Sequence, residues 1–209
     1  MNSPKDLMIY GGTFAPPHNG HVHAVREYRR AFSPDLVRIM PAAIPPHKAI
    51  DADDSPQMRY RMTCLAFQDE AGYGDSLKVS DWELTQGGKS YTVHTLEHFA
   101  SPELRLTLLC GTDMFLTLDT WHRAERIFEL ARIALMRREH DDALYTQIED
   151  RIRCYQDRYG ARIVQVPGDA VELSSTELRQ MAARGYPLTG LVPEKVEEYI
   201  RLHGLYCKK

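Results

Sequence analysis

The chain has 209 residues, enough for one large α/β domain or for a domain with a small appendage. Hydrophobic residues make up 43% and charged residues 26%, close to ordinary globular usage, which excludes a fibrous repeat and a disordered chain. A net charge of -3 and a pI near 6.3 lack the basic excess that a nucleic-acid backbone demands, so no nucleic-acid partner is expected.

The first apolar run, Leu7-Met8-Ile9-Tyr10, predicts a buried strand, and it leads straight into Gly11-Gly12-Thr13-Phe14-Ala15-Pro16-Pro17-His18-Asn19-Gly20-His21. Paired glycines let a backbone approach a ligand closely because no Cβ intervenes, and the imidazoles at 18 and 21 add nitrogen donors beside it. With Asn19 as the cap of a following helix, His21 falls in the first turn, where N–H groups and the dipole favour an anion. Val22, Val25, Tyr28 and Phe32 keep helical spacing over Gly20 to Phe32, and Leu36 to Met40 reads as the second strand, so a βαβ unit opens the fold. Next comes a long loop, Pro41 to Ser55, that holds Pro45-Pro46-His47-Lys48, and a loop of that length suggests a binding segment or lid.

Ser55 to Phe67 predicts a helix, Leu77 to Trp82 a strand and Thr92 to Phe99 a further helix. Strands over Leu104 to Cys110 and Ile133 to Arg137 follow. The stripe Leu144, Ile148, Ile152, Tyr155 and Tyr159 predicts a core-packing helix that stops at Gly160. After a last strand, Arg162 to Val166, only helices remain: Ser175 to Arg184, then Pro193 to His203 closed by Gly204. The alternation of strands and helices gives an α/β class with a mostly parallel sheet. One domain over 1–209 is expected, with 174–209 a helical C-terminal subdomain folded back onto the sheet.

Cysteines 64, 110, 154 and 207 form no C-x-x-C pair and read as reduced thiols, mostly in the core. No stretch approaches 18 apolar residues and Met1 to Asp6 lacks the apolar segment of a signal peptide, so no membrane partner is expected and the cytoplasm is the expected location.

The glycine turn is neither a Walker A loop nor the G-x-G-x-x-G dinucleotide fingerprint. A lone turn histidine would read as a helix cap. His18, His21 and His23 crowd together as metal ligands might in another setting, but His23 points away from His21 on a helix and no acidic ligand is near, so no protein-held metal is expected. Near the C-terminus, Ser174-Ser175-Thr176-Glu177-Leu178-Arg179 puts hydroxyls at a helix start with an Arg one turn in. By itself this is a capping box, with Ser174 as the cap and Glu177 at N3.

His18-Asn19-Gly20-His21 has the H-x-G-H form and, with the longer string from Gly11, resembles the signature of the nucleotidylyltransferase superfamily. The resemblance implies a Rossmann-like nucleotidyltransferase fold with helices on both faces of the sheet. It implies that His18 and His21 are catalytic, binding a nucleoside triphosphate and stabilising charge on its α-phosphate. Leu173 to Arg179 resembles the superfamily element that holds the β- and γ-phosphates. Three further segments at strand C-terminal ends sharpen the likeness: Pro45 to Lys48, Glu83 to Thr92, and Gly111-Thr112-Asp113 with Trp121. With them the chain resembles the bacterial nicotinate-nucleotide adenylyltransferases, which join nicotinate mononucleotide to the AMP part of ATP.

That resemblance implies ATP contacts at Gly11, Gly12, Thr13, Phe14, His18, His21, Gly111, Asp113, Ser174, Ser175, Thr176 and Arg179. It implies acceptor contacts at Lys48, Ser90, Tyr91, Thr92 and Trp121, with Mg²⁺ arriving on ATP, held by phosphate oxygens and water. Locally, Trp121 and Tyr91 also read as half-buried packing, Lys48 as a solvated charge and Asp113 as a helix cap. A homo-oligomer is compatible with the sequence. Rival acceptors are nicotinamide mononucleotide, flavin mononucleotide and phosphopantetheine, and rival classes are a non-catalytic nucleotide sensor and, less well matched, a dehydrogenase. Ala15 departs from the family string, which usually has Asp there.

Overall fold

The computed structural model describes residues 3–46, 54–137, 142–168, 171 and 173–207. Six strands form one sheet in the order β3-β2-β1-β4-β5-β6, with helical segments in the connections. They are β1 (Lys5–Gly12), β2 (Leu36–Pro41), β3 (Leu77–Val79), β4 (Leu104–Gly111), β5 (Ala131–Met136) and β6 (Ile163–Gln165). β1 pairs parallel with β4, β4 with β5 and β5 with β6. This is the doubly wound order, and it reverses between β1 and β4, the place where open α/β sheets bind ligands at strand carboxyl ends. The glycines Gly11 and Gly111 stand at those two ends.

Contacts divide the chain into two compact units. One comprises Met1–Gly11, Arg26–Arg38 and Tyr91–Ala170; the other comprises Gly12–Val25, Ile39–Ser90 and Val171–Lys209. In the first, Leu106, Leu108, Leu109, Cys110, Ile133, Ala134 and Leu135 are buried, as expected of parallel strands covered on both faces. Helices α5 (Thr112–Leu116), α6 (Ala124–Leu130) and α7 (Asp142–Tyr159) pack together there. Phe115, Phe128 and Tyr155 form their aromatic centre. Tyr155 and Ile148 of the predicted stripe are buried, while Ile152 and Tyr159 at its margin are half-buried.

In the second unit, α2 (Pro56–Phe67) starts where the sequence places it, with Ser55 Oγ accepting from Met58 N–H at 3.2 Å and Pro at the first turn. It packs against α9 (Glu194–His203), whose Val196 and Ile200 are buried and whose left-handed C-cap is Gly204. Burying side chains of this size contributes about 1.5–3 kcal/mol each. The third strand is shorter than expected: it stops at Val79, and Trp82–Gln86 forms a short helix, α3. Ser80 Oγ accepts from Trp82 N–H at 3.2 Å, a local hydroxyl–backbone turn that competes with the ladder. No described helix is long and apolar enough to cross a membrane.

Candidate active site

Helix α1 (Asn19–Phe32) follows the glycine turn. Its cap is His18 rather than Asn19: the His18 carbonyl accepts from His21 N–H at 2.9 Å and from Val22 N–H at 3.3 Å. The His18 N–H in turn donates to His21 Nδ1 at 3.1 Å. This reproduces one half of a capping box, with an imidazole at N3 accepting the cap N–H as Glu usually does. Because Nδ1 of His21 accepts, the proton of its neutral ring sits on Nε2. The two rings stack with centroids 3.6 Å apart and planes 25° apart. Asn19 has another task, since its backbone N–H donates to Leu191 O at 2.9 Å and its side chain to Gly190 O at 2.8 Å, tying α1 to the turn before α9.

Gly12 serves packing. A Cβ there would lie 2.9 Å from the Phe14 ring, and that ring, on a residue with φ 52, meets His21 edge-on at 5.0 Å. Gly11, by contrast, would carry a Cβ into open space, so of the two glycines only Gly12 is required by the protein's own atoms. At Gly20 a Cβ would stand 2.9 Å from the backbone oxygen of Val171 and 3.0 Å from His18 Nδ1. Gly20→Ala is therefore expected to cost about 1–3 kcal/mol and to displace His18; a lower melting temperature together with a raised ATP KM checks this.

The α8 segment (Ser175–Ala183) closes on the same loop. Ser175 Oγ donates to Pro16 O at 3.0 Å, and Arg179 Nη1 donates to Ala15 O at 2.7 Å, with Nη2 3.4 Å from Thr176 Oγ1. The expected capping box is not formed: Ser174 occupies the cap position, but its side chain makes no capping bond, and Glu177 is exposed. Hence the hydroxyl of Ser174 and the remaining N–H donors of the Arg179 fork are not committed to helix capping. Ala15 contributes through its carbonyl, and its methyl is buried.

Arg59 is the residue that sequence reading missed. Fully buried on α2, it donates from Nη1 to Thr13 O at 3.0 Å and also to Ala42 O, and from Nη2 to Ala43 O at 2.7 Å. Its Nε lies 3.6 Å from the buried carboxylate of Asp54. One guanidinium thus ties the glycine turn to the end of β2, where Ala42 N–H also donates to Gly12 O at 2.9 Å. Burial pulls the Arg59 pKa down while Asp54 and Tyr206 oppose the shift; burial and then Asp54 push the Tyr206 phenol up. The available signal was an Arg in register with Met62, Thr63 and Ala66 on the buried face of α2.

Ser90 belongs to the same unit, and its Oγ accepts from Ala43 N–H at 2.8 Å while its N–H donates to Ile44 O at 2.9 Å, so it braces the loop after β2. Lys48 lies outside the described residues. In the other unit, Tyr91 precedes α4 (Thr92–Phe99), and its ring lies 4.6 Å from that of His122 and 5.8 Å from that of His94. His94 and His122 are 5.9 Å apart at 79°, making an aromatic corner beside half-buried Trp121. Neither histidine had been singled out, although i+3 spacing from Tyr91 and adjacency to Trp121 point to both. Gly111 caps α5, and Asp113 is exposed in its first turn.

The cytidylyltransferase-like family profile matches residues 9–181. The "Probable nicotinate-nucleotide adenylyltransferase" of Desulfatibacillum aliphaticivorans is 37% identical, covering 96% of this chain and 99% of its own. The protein of the same description from Geotalea uraniireducens is 34% identical, covering 95% and 96%. Among solved structures, Plasmodium falciparum nicotinic acid mononucleotide adenylyltransferase complexed with APC shares the fold with a TM-score of 0.72 at 14% identity, over 97% of each chain. The order β3-β2-β1-β4-β5-β6, the His18–His21 turn and these full-length likenesses agree: the chain belongs to the cytidylyltransferase-like family and, within it, to the nicotinate-nucleotide adenylyltransferases.

Proposed function

We propose that this chain transfers AMP from ATP to nicotinate mononucleotide, giving deamido-NAD and pyrophosphate, with one domain over 1–209 carrying the reaction. A phosphate oxygen of the mononucleotide attacks the α-phosphorus in line, a P–O bond forms, and the bond to the β-phosphate breaks as pyrophosphate leaves. Such a reaction asks the protein for positioning and for donors aimed at oxygens that gain charge. The observation that supports the reading is the 3.1 Å bond from His18 N–H to His21 Nδ1, which puts the proton of the neutral ring on Nε2, the group this reading assigns to that role. His18 stacks against His21 and shares the role.

Ser174, Ser175, Thr176 and Arg179 take the β- and γ-phosphates, Gly11 to Phe14 the phosphate turn, and Gly111 and Asp113 the adenosine. Tyr91, Thr92 and Trp121 take the pyridine ring, whose flat, electron-poor face suits an aromatic wall. Lys48 adds a charge near the phosphates. ATP arrives as its Mg²⁺ complex. The cation's ligands in this reading are phosphate oxygens and water.

Pyrophosphate release from Mg-ATP, with nicotinate mononucleotide, nicotinamide mononucleotide and phosphopantetheine offered in parallel, tests the assignment. Highest kcat/KM with the nicotinate substrate is expected. Preference for another acceptor, or ATP binding without any pyrophosphate release, overturns it.

A further inference from the structure

The corner that carries Trp121 is held at both ends. Upstream, the 3₁₀ turn Leu118–Thr120 presents Asp119, whose Oδ2 accepts from Arg151 Nη1 at 2.9 Å. The Tyr155 hydroxyl stands 3.1 Å from Asp119 Oδ1 and 2.9 Å from the carbonyl of Phe115, sharing its one proton between them. Both Arg151 and Tyr155 belong to α7, and Tyr155 is locked in the aromatic core against Phe115 and Phe128.

Downstream, Arg123 adopts a left-handed conformation with φ 54, one that residues with a Cβ hold only when their surroundings impose it. Its guanidinium meets Glu97 of α4 at 2.9 Å, and Arg126 approaches the same carboxylate at 3.6 Å. Backbone bonds from Trp121 N–H to Leu118 O at 3.2 Å and from Ala124 N–H to Trp121 O at 3.1 Å complete the corner.

We infer that Asp119, Arg151 and Tyr155 are positioning residues for the acceptor: through the turn at Leu118–Thr120 they hold Trp121 and His122 ready for the pyridine ring. This rests on the assignment of Tyr91 and Trp121 to the acceptor ring. Trp121 sits two residues beyond the carboxylate that α7 grips. A fixed indole gains affinity because no loop has to be ordered when the ring binds. ATP, assigned to other residues, gains nothing from it. The Arg151 side chain is 41% exposed, and ion pairs at such positions add little to folding. Its removal therefore separates positioning from stability.

Arg151→Ala and Tyr155→Phe, each in the full chain, are expected to raise KM for nicotinate mononucleotide roughly five- to tenfold, and in Arg151→Ala, which leaves the Tyr155 bond to Phe115 of α5 intact, kcat and the ATP KM stay within about twofold. Arg151→Lys is expected to recover part of the loss. A second readout uses Trp121 itself: the chain has 2 tryptophans, so Trp82→Phe leaves Trp121 as the only indole. In that background Arg151→Ala should lower the Trp121 fluorescence anisotropy and weaken its quenching by nicotinate mononucleotide. Unchanged acceptor KM and anisotropy in both variants, or equal rises in both KM values with a lower melting temperature, overturn the inference. A wild-type chain inactive on nicotinate mononucleotide defeats the functional reading instead, and the anisotropy then still decides whether α7 holds the corner.

Discussion

Replacing His21 by Ala is expected to lower kcat about 10²- to 10³-fold, the usual effect of deleting one donor aimed at a developing oxyanion. The effect should fall mainly on kcat, because the Nε2–H bond strengthens as charge builds on the α-phosphoryl oxygens. Some of the loss is structural: His21 Nδ1 accepts the His18 N–H at 3.1 Å, and without it that helix-start donor loses its partner. Asn at 21 can accept the same N–H through Oδ1 but is too short to put a donor at the Nε2 position, so an Asn variant that folds as well as wild type but stays slow isolates the donor's catalytic share. Steady-state kinetics with a parallel thermal melt separates the two parts. Near-normal turnover in His21→Ala would contradict the mechanism.

The second large effect is on stability. Arg59→Ala is expected to cost about 3–5 kcal/mol, the penalty for breaking a buried ion pair by removing one partner. In a chain of this size that is a fall of roughly 6–20 °C in melting temperature. Three carbonyls, at Thr13, Ala42 and Ala43, lose their donor at once, and Asp54, itself 4% exposed, loses the guanidinium 3.6 Å away. Arg59→Met combined with Asp54→Asn should recover part of the loss, since a neutral partner no longer leaves an uncompensated charge in the interior. Differential scanning calorimetry of the single and double variants measures this. A single variant that melts with wild type would show that Arg59 does not hold the glycine turn.

Features carried by adjacent residues were the legible ones. The run Leu7 to Tyr10 followed by two glycines predicts a strand and a turn, and the alternation of apolar periods predicts a parallel α/β sheet, because both depend on local pattern alone. The cap of α1 lies one residue before the Asn19 that the local sequence favours, because Gly190 and Leu191, far along the chain, claim the donors of Asn19. The third strand was drawn too long because the Ser80 hydroxyl turns the backbone aside at a point where Trp82 still reads as a strand former. The role of Arg59 is not legible locally, because only the tertiary arrangement supplies its three carbonyls. Adjacency groups Ser90 with Tyr91 and Thr92, and the bond its Oγ accepts from Ala43 N–H is invisible to local pattern.

The packing of Phe14 also alters how the glycine pair should be understood. Its ring needs the absence of a Cβ at Gly12 and lies edge-on to His21. The orientation of the His21 imidazole therefore rests on three supports: the His18 N–H, the Phe14 edge and the stacked His18 ring. Arg179 and Ser175 hold the carbonyls of Ala15 and Pro16 just upstream, so the α8 segment shapes the histidine loop.

In the proposed reaction the AMP moiety of ATP moves onto nicotinate mononucleotide in one in-line displacement at the α-phosphorus. Incubating the chain with ATP labelled at the α-phosphate, Mg²⁺ and nicotinate mononucleotide, then resolving the products, follows that atom directly. The label is expected in deamido-NAD, with unlabelled pyrophosphate formed in equal amount. Label found in ADP, or in AMP released to water with the mononucleotide unchanged, would contradict it.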